Sequence, residues 1–565
     1  MLLRSAITLW LALTIVCMAP GGRAAAEPAT NIFESSACTT PESPLDRIVG
    51  RRLAKLGIQP AYCSDAVFVR RAFLDVIGTL PTAEEARAFI QDQTRNKRQA
   101  LIDRLLERTE FPDYWAMKWG DLLRIKAEFP VNLWPNAAQA YHHWVRTAIR
   151  DNQPYDQFVR ELLTSNGSNF RAGPVNFYRA MQNRTPEGIA ATVALTFMGA
   201  RAELWPTNTL SGMAVFFSQL SYKPTREWKE EIVFWDPDKD CAPPDSTATA
   251  AATAAAPTTT NNAAQPTVPA AANTPPARLV PRVAVFPDGA KLRKLPADRD
   301  PREVFADWLI TSKNPWFTAN IMNRIWSWLL GRGIIHEADD IRPDNPPSNP
   351  ELLAYLQKEF VASHYNLKHV YRLILTSRTY QFAARNPQPK NPQAEALFAF
   401  YPLRRLEAEA LIDAINKVTG SSDLYTSAIP EPFTFIPENI PAIALPDGSI
   451  TSPFLELFGR PARATGMENE RVNRPLPAQW MHLLNSSHIQ RKLEGNRHLK
   501  ELLKTRPASK TIIEDLYLTT LSRFPTAAEV KTIEAYAKSG VVKGAEVWTD
   551  LSWALINSDE FLYRH

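Results

Sequence analysis

Pro81-Thr82-Ala83-Glu84-Glu85 and Pro525-Thr526-Ala527-Ala528-Glu529 are two near copies of one short pattern. Each places a threonine at a helix N-cap and a glutamate three residues later, so that the two residues can cap each other reciprocally. Each copy is followed by further helical segments that end in a Glu-Phe pair, at Glu110-Phe111 and Glu560-Phe561. The pattern therefore predicts a helical-hairpin unit that occurs near both ends of the chain.

Helical periodicity dominates on both sides of one low-complexity segment. Residues 242–277 are almost entirely Ala, Thr, Pro and Asn, with Asp245 as the only charge, a composition that cannot form a packed core. The chain has 565 residues, which is too long for one ordinary core. We predict an all-α protein of two helical lobes that pack together, with long ordered loops and a disordered Ala/Thr/Pro-rich insertion.

These features divide the chain into four predicted segments. They are a signal peptide over residues 1–26, an N-terminal helical domain over 27–236, a disordered linker over 237–280 and a C-terminal helical domain over 281–565. Few stretches favour β-structure, although the alternation at residues 282–286 predicts one short strand. The Pro- and Gly-rich stretch of residues 429–453 is expected to be a long ordered loop.

The N-terminal residues are typical of a secretory signal. Arg4 supplies a positive charge, residues 6–18 are almost wholly apolar, and Ala24-Ala25-Ala26 offers small residues for cleavage. The apolar run is shorter than the roughly 20 residues that a membrane-spanning helix needs, and no later run reaches that length. We therefore predict an exported protein of the periplasm or cell surface, without a membrane span.

Composition and missing motifs exclude several functional classes. The formal net charge of +5 is too small a bias to indicate a nucleic-acid or membrane partner. The common motifs of serine hydrolases, zinc proteases, phosphate loops and dinucleotide sites are absent from the sequence.

Export permits a disulfide, and Cys38 and Cys63 are the predicted pair because both flank the start of the first lobe. Cys241 then has no partner.

Residues 316–330 are predicted to form an apolar helix with one narrow polar stripe. The stripe consists of Asn320, Asn323, Arg324 and Ser327, which follow helical spacing. A solvent-facing stripe more often carries Lys and Glu, whereas amides with one arginine indicate specific hydrogen bonds. These bonds either satisfy the backbone of nearby loops or bind a ligand or substrate.

A second predicted helix, over residues 403–418, carries a row of charges. Arg405, Glu409 and Asp413 follow at i+4 steps, and Glu407 falls on the apolar side. The two carboxylates Glu409 and Asp413 repel each other unless a cation lies between them, and Arg405 or Arg324 is expected to supply it. A buried Glu407 is expected to have a raised pKa, which suits a general acid. The alternative is a structural network of ion pairs.

Two further charged groups also allow a functional and a structural interpretation. Asp339-Asp340 can hold a hard cation or activate water, or can act as ordinary loop and cap residues. Arg460, Arg463, Glu470 and Arg471 either recognise an anionic ligand such as a sulfated sugar or brace their own loop.

Several motifs together resemble two known families. Residues 70–82 resemble the opening motif of domain-of-unknown-function 1549. Residues from Asn314 onward resemble domain-of-unknown-function 1553, and the resemblance covers nearly all of the chain outside the linker. It implies an exported bacterial protein of the planctomycete cell-surface type, without an established activity, whose candidate partners are a neighbouring sulfatase-like exported protein or a polysaccharide. The 1553-like motifs are Asn323-Arg324-Ile325-Trp326, Gly331-Arg332-Gly333-Ile334, Asp339-Asp340, Arg404-Arg405-Leu406-Glu407-Ala408-Glu409, Phe458-Gly459-Arg460-Pro461 and Trp553-Ala554-Leu555-Ile556-Asn557-Ser558-Asp559-Glu560-Phe561-Leu562.

The sequence departs from these families at two places. Many members carry a Cys-x-x-Cys-His motif and a Cys-x-Cys motif, whereas residues 198–207 and 466–471 contain no cysteine. If those cysteines form one metal or haem site in the relatives, this chain has lost the site as a unit. We therefore predict no covalent haem, no structural zinc and no other cofactor.

Two functions remain open at this level. The first is a non-enzymatic assembly or binding component linked to polysaccharide processing. The second is a carboxylate-based glycan-acting hydrolase that uses Glu409 and Asp340 with Arg324. Convergence of these three residues with Asn323 in one cleft favours the hydrolase, whereas separate local partners favour the binding component.

Overall fold

The computed structural model describes residues 31–239 and 283–565, apart from residues 36 and 506. The predicted signal peptide, Cys241 and nearly all of the predicted linker lie outside the described residues. The protein is largely helical, which confirms the predicted class, and its short strands form small antiparallel sheets. In the described ranges, no helix combines the length and the apolar character that crossing a membrane requires.

The residues before the linker form a helical layer with small pieces of sheet. Strand β1 (Glu34–Ser35) pairs with β2 (Tyr62–Cys63), and a three-stranded sheet has the order β3-β5-β4. The strands of this sheet are β3 (Gly167–Ser168), β4 (Leu220–Pro224) and β5 (Glu231–Trp235). The helices are α1 (Pro44–Lys55), α2 (Asp65–Ile77), α3 (Ala83–Gln91), α4 (Lys97–Leu106), α5 (Glu110–Leu122), α6 (Pro135–Arg150), α7 (Tyr155–Thr164), α8 (Asn176–Arg179), α9 (Pro186–Val193) and α10 (Thr207–Ala214).

The residues after the linker begin with the hairpin of β6 (Ala284–Val285) and β7 (Lys291–Leu292), where a strand is predicted. Strand β8 (Arg404–Arg405) pairs with β9 (Tyr563–Arg564). The helices are α11 (Pro301–Leu309), α12 (Phe317–Leu330), α13 (Pro350–Ala362), α14 (Leu367–Leu375), α15 (Pro392–Ala396), α16 (Ala408–Thr419), α17 (Pro453–Leu457), α18 (Pro477–Asn485), α19 (Ser487–Glu494), α20 (Arg497–Lys504), α21 (Ser509–Leu521), α22 (Ala527–Lys538), α23 (Glu546–Ile556) and α24 (Asp559–Leu562).

Buried apolar side chains form two large clusters whose boundary does not coincide with the linker. The first cluster runs from Leu45 to Tyr401 and also includes Ile443. The second runs from Leu406 to Leu562 and also includes Leu74 and Leu80 from the N-terminal part. The linker therefore interrupts the first cluster, and helices from both sides of it share one apolar core.

Both predicted capping boxes are present. The Thr82 Oγ1 accepts the backbone N–H of Glu85 at 3.1 Å, and the Thr82 N–H donates to the Glu85 carboxylate at 2.9 Å. Thr526 and Glu529 make the same two bonds at 3.2 Å and 2.7 Å. These reciprocal bonds fix the first turns of α3 and α22.

The two units also share a tertiary interaction. Arg108 binds the box glutamate Glu85 at 2.6 Å and Glu110 of the following Glu-Phe pair at 2.5 Å. Arg523 binds Glu529 at 2.8 Å and Glu560 at 2.7 Å in the other unit. The first unit lies against the helix that precedes the second box, because Ala83 and Ala86 of α3 pack on Leu518 of α21.

Helix α2 is joined to the C-terminal residues by two buried arginines. Arg70 donates to the carbonyl oxygens of Thr520 and Phe561, both at 2.8 Å. Arg71 donates to the carbonyl oxygen of His565 at 2.9 Å. These bonds place the predicted 1549-like motif at the contact between the two ends of the described chain.

A buried carboxylate of the same helix is satisfied from several sides. Asp75 accepts the hydroxyl groups of Tyr380 and Tyr401, each at 2.8 Å, and pairs with Arg564 at 3.0 Å. Arg564 also lies 3.1 Å from Glu407. One guanidinium thus compensates two buried carboxylates from different parts of the chain.

Substitution Arg564→Met is expected to lower the free energy of unfolding by about 3–5 kcal/mol, because it leaves Asp75 and Glu407 buried without this cation. Urea denaturation followed by circular dichroism measures the loss. Arg372→Met is the matched control, since Arg372 joins Asp103 across the two halves at 2.6 Å with both side chains about half exposed. Its loss is expected to stay below about 1 kcal/mol, and equal losses for the two variants would contradict the prediction.

Candidate functional site

The predicted polar stripe on α12 lies inside the protein. The Asn320 side-chain amide donates to the carbonyl oxygen of Thr196 at 2.9 Å. Asn323 both accepts from and donates to the backbone of Ile335, at 2.8 Å and 3.0 Å. Both asparagines are fully buried, so their amides satisfy the backbone of neighbouring segments.

Arg324 completes the stripe as a buried connector. Its guanidinium donates to Asn320 at 3.1 Å, to the carbonyl oxygen of Leu195 at 3.1 Å and to Asp339 at 2.5 Å. The second oxygen of Asp339 accepts the backbone N–H of Glu468 at 2.6 Å. This arrangement matches the structural interpretation of both the stripe and Asp339.

The two segments that lack the family's cysteines approach each other around Arg324. On one side, the carbonyl oxygen of Gly199 accepts the N–H of Ile341 at 2.8 Å, and a side chain at Gly199 would collide with Asn320. On the other side, Glu468 is held by Asp339. Across residues 31–239 and 283–565, no cluster of three or more His, Cys, Asp or Glu side chains is arranged to hold a metal ion.

Glu407 differs from its prediction in both position and charge. The helix begins at Ala408 and not at residue 403, because Arg404 and Arg405 form strand β8. The Glu407 carboxylate accepts bonds from Lys118, from Tyr114 at 3.0 Å and from Arg564 at 3.1 Å. Burial alone would raise the pKa of Glu407, but the cations Lys118 and Arg564 outweigh burial and hold this pKa well below its usual range. The predicted raised pKa is therefore wrong.

Glu409 is fully buried and bound by arginine. Arg471 donates to its two oxygens at 2.6 Å and 3.1 Å, and Arg460 lies 3.4 Å away. Burial opposes ionisation of Glu409, but the charge and hydrogen bonds of Arg471 lower its pKa. Arg471 also pairs with Asp121 of α5 at 2.7 Å, so this carboxylate belongs to a bridge between helices.

The cation expected between Glu409 and Asp413 is not Arg405. Arg405 instead donates to the carbonyl oxygens of Phe458 and Val472, at 2.6 Å and 3.2 Å. It therefore holds the loop that follows α17 and does not act on the row of carboxylates.

Asp413 is satisfied by backbone groups alone. Its two oxygens accept the N–H groups of Ala442 at 2.8 Å and Ile443 at 3.0 Å. Burial raises the pKa of Asp413 to about 7, although these two bonds partly oppose the rise. No ion-pair partner of Asp413 occurs among the residues that the structure describes.

The charged loop of residues 460–471 braces itself and the N-terminal domain. Arg463 is fully buried and donates to Asp121 at 2.9 Å and to the carbonyl oxygen of Ile125 at 3.1 Å. Arg460 donates to the carbonyl oxygens of Ile450 and, at 3.2 Å, of Asp447. Of the two interpretations of this loop, the geometry favours bracing.

Glu470 serves the turn of the same loop. Its carboxylate accepts the N–H groups of Ala464 at 2.8 Å and Thr465 at 3.2 Å.

Asp340 lies apart from this network and pairs with Arg342 at 3.2 Å. Within the described part of the chain, no hydrogen bond or ion pair joins Asp340 to Asn323, Arg324 or Glu409, so each of these candidates has its own partners.

The predicted disulfide is not formed, because Cys38 and Cys63 are both free cysteines. Two side chains bind the thiols separately. The Cys38 thiol lies 3.7 Å from the side-chain oxygen of Gln381, and Arg98 lies 2.8 Å from the same oxygen and 3.9 Å from the Cys63 sulfur.

A cavity of about 650 Å³ lies outside every site predicted from the sequence. It is formed by the loop of residues 421–424 together with helices α17, α18 and α19 and the start of α20. Its wall contains a chain of titratable groups, in which Asp423 lies 2.8 Å from His488 and His488 lies 3.4 Å from His482. The two histidines belong to different helices separated by a break at Ser486, so no helical spacing in the sequence indicates their contact.

The comparisons with known proteins bear on both halves of the chain. The family model described as protein of unknown function DUF1549 (PSCyt2) matches residues 44–203. The model described as protein of unknown function DUF1553 (PSD1) matches residues 301–537. Both matches confirm the resemblance and the domain order inferred from the motifs. No curated protein and no solved structure was found to be similar to the chain.

Asp413→Asn tests the raised pKa of this buried carboxyl group. Between its ordinary pKa of 3.8 and about 7, the folded protein holds a proton that the unfolded chain releases, so this group destabilises the fold as the pH rises. The melting temperature of the variant minus that of the parent is expected to become more positive from about pH 4 to about pH 8.

Thermal unfolding at several pH values measures this difference. Asp344→Asn is the control, because the Asp344 side chain is 73% exposed and solvent screens its ion pair with Arg342, so its difference is expected to vary less with pH. A flat or falling difference for Asp413→Asn would contradict the assignment.

Proposed function

We infer the role of this chain from its own geometry, because it belongs to the family of proteins that join a DUF1549 domain to a DUF1553 domain, both of unknown function. The proposed role is that of an exported, non-catalytic binding component linked to polysaccharide processing. The observation that carries the proposal is that the candidate catalytic carboxylates are committed to arginine and lysine partners.

General acid catalysis needs a carboxyl group that is protonated near the working pH and can reach the substrate. Glu407 and Glu409 are both buried, and cations lower the pKa of each, which keeps them ionised. Asp340 has a separate partner in Arg342. This distribution supports a structural role for these carboxylates and gives no support to the hydrolase alternative.

The ion pairs of the other candidate residues join the two domains. Asp121 of the DUF1549 part binds Arg463 and Arg471 of the DUF1553 part, and Lys118 binds Glu407. Two domains joined by buried ion pairs suit a component that presents a fixed surface to a partner. The proposed export rests on the signal-like N-terminal sequence. The proposed partner is a polysaccharide or a neighbouring sulfatase-like exported protein.

The proposal predicts binding of polysaccharide without cleavage. The full chain is run in native gels that contain one polysaccharide each, neutral or acidic, and the same mixtures are assayed for new reducing ends. We expect retarded migration in at least one gel and no release of reducing ends, because no candidate carboxylate is free to donate a proton.

Asp340→Asn and Glu409→Gln serve as the variants, and circular dichroism checks that each is folded at the assay temperature, because Glu409→Gln removes a buried ion pair and is expected to lower the melting temperature. Release of reducing ends by the parent that disappears in either folded variant would overturn the non-catalytic assignment. Absence of retardation in every gel would overturn polysaccharide binding.

A further inference from the structure

The cavity bounded by the loop of residues 421–424 and helices α17 to α20, hereafter the α18–α19 cavity, carries an uncompensated positive charge. Arg491 and Arg497 line it, and neither has an ion-pair partner among the described residues. The one carboxylate in its wall, Asp423, already lies 3.3 Å from Lys492. Two guanidinium groups therefore remain to attract an anion.

Aromatic contacts and a carboxylate hold the side chains at the base of the cavity. Phe454 stacks on Phe458 with ring centroids 4.1 Å apart, and it meets the edges of His482 and His488 at 5.7 Å and 5.9 Å. Asp423 holds His488 from the other side at 2.8 Å. The imidazoles are thus placed before any ligand arrives, which lowers the entropy cost of binding.

One polar atom of the wall lacks a partner. The Asp423 side chain is nine-tenths buried, and its Oδ2 accepts no hydrogen bond from the described residues. Such an atom is satisfied by a donor such as a hydroxyl group. The wall also contains Ser421, Ser422 and Ser452, whose hydroxyls can donate or accept.

We propose that the α18–α19 cavity binds an acidic saccharide, with its carboxylate or sulfate ester at Arg491 and Arg497 and its hydroxyl groups toward Asp423 and the serines. The proposal rests on the proposed binding function and names its ligand class and its site. The volume of about 650 Å³ falls within the roughly 300–1,000 Å³ typical of sites for organic ligands.

The test is isothermal titration of the full chain at low ionic strength. The probes are dextran sulfate, polygalacturonate, neutral dextran, sodium sulfate and polyglutamate. The site variant is Arg491→Gln/Arg497→Gln, and the matched control is Arg104→Gln/Arg226→Gln, which removes two exposed arginines without ion-pair partners from other described surfaces. All four positions are exposed, so the variants are expected to keep the parent's melting temperature.

We expect one acidic polysaccharide to bind, with its Kd raised about tenfold or more in the site variant and unchanged in the control. Dextran sulfate and polygalacturonate distinguish a sulfate ester from a carboxylate as the recognised group. His488→Gln, which leaves both arginines in place, is expected to weaken binding less than the double variant does.

Three results would overturn the site. Equal Kd values for the site variant and the control would place binding elsewhere, while the proposed binding function stands. Binding of sodium sulfate or polyglutamate as tightly as the polysaccharide would assign the cavity to a free anion or an acidic peptide. Absence of binding by both acidic polysaccharides, together with retention in a neutral polysaccharide gel, would remove the ligand class and leave the function intact.

Discussion

The structure depends on burying charge between segments that are far apart in sequence. Asp75 and Glu407 are withdrawn from water, and Arg564 compensates both of them. Removing ions from water costs several kcal/mol each, and the attraction between them repays this cost only in a well-formed geometry. Such pairs add little net stability, but they strongly disfavour any arrangement in which the partners are separated. They therefore select one way for the two family domains to meet.

Local features of the fold follow from the sequence because their causes are local. The capping boxes at Thr82 and Thr526 depend on residues three positions apart, and the apolar helix of residues 317–330 depends on side-chain spacing. The sequence did not predict the β4–β5 hairpin, because β4 contains Ser221 and Lys223 and ends at Pro224, which are not typical strand residues. The register of β4 is set by its pairing with β5.

The charge states of the candidate residues could not be predicted in the same way. Lys118 lies 289 positions from Glu407, and no pattern within α16 reveals that it will meet that carboxylate. Burial of Glu407 was expected correctly, but the sign of its pKa shift depends on this distant cation. The sequence of α5 did indicate that this helix carries buried charges, because Lys118 and Asp121 interrupt a largely aromatic and apolar helix at a spacing of three residues.

The contacts of α2 also bear on the order in which the chain folds. Arg70 finds its acceptor at Phe561, 491 positions later. During synthesis from the N-terminus, α2 exists for a long time without this acceptor, and early collapse around it would bury an unpaired guanidinium. The N-terminal half therefore bears this cost when it closes alone, although its family model ends at residue 203. Folding is expected to be a late event of the whole chain and not a stepwise completion of two independent domains.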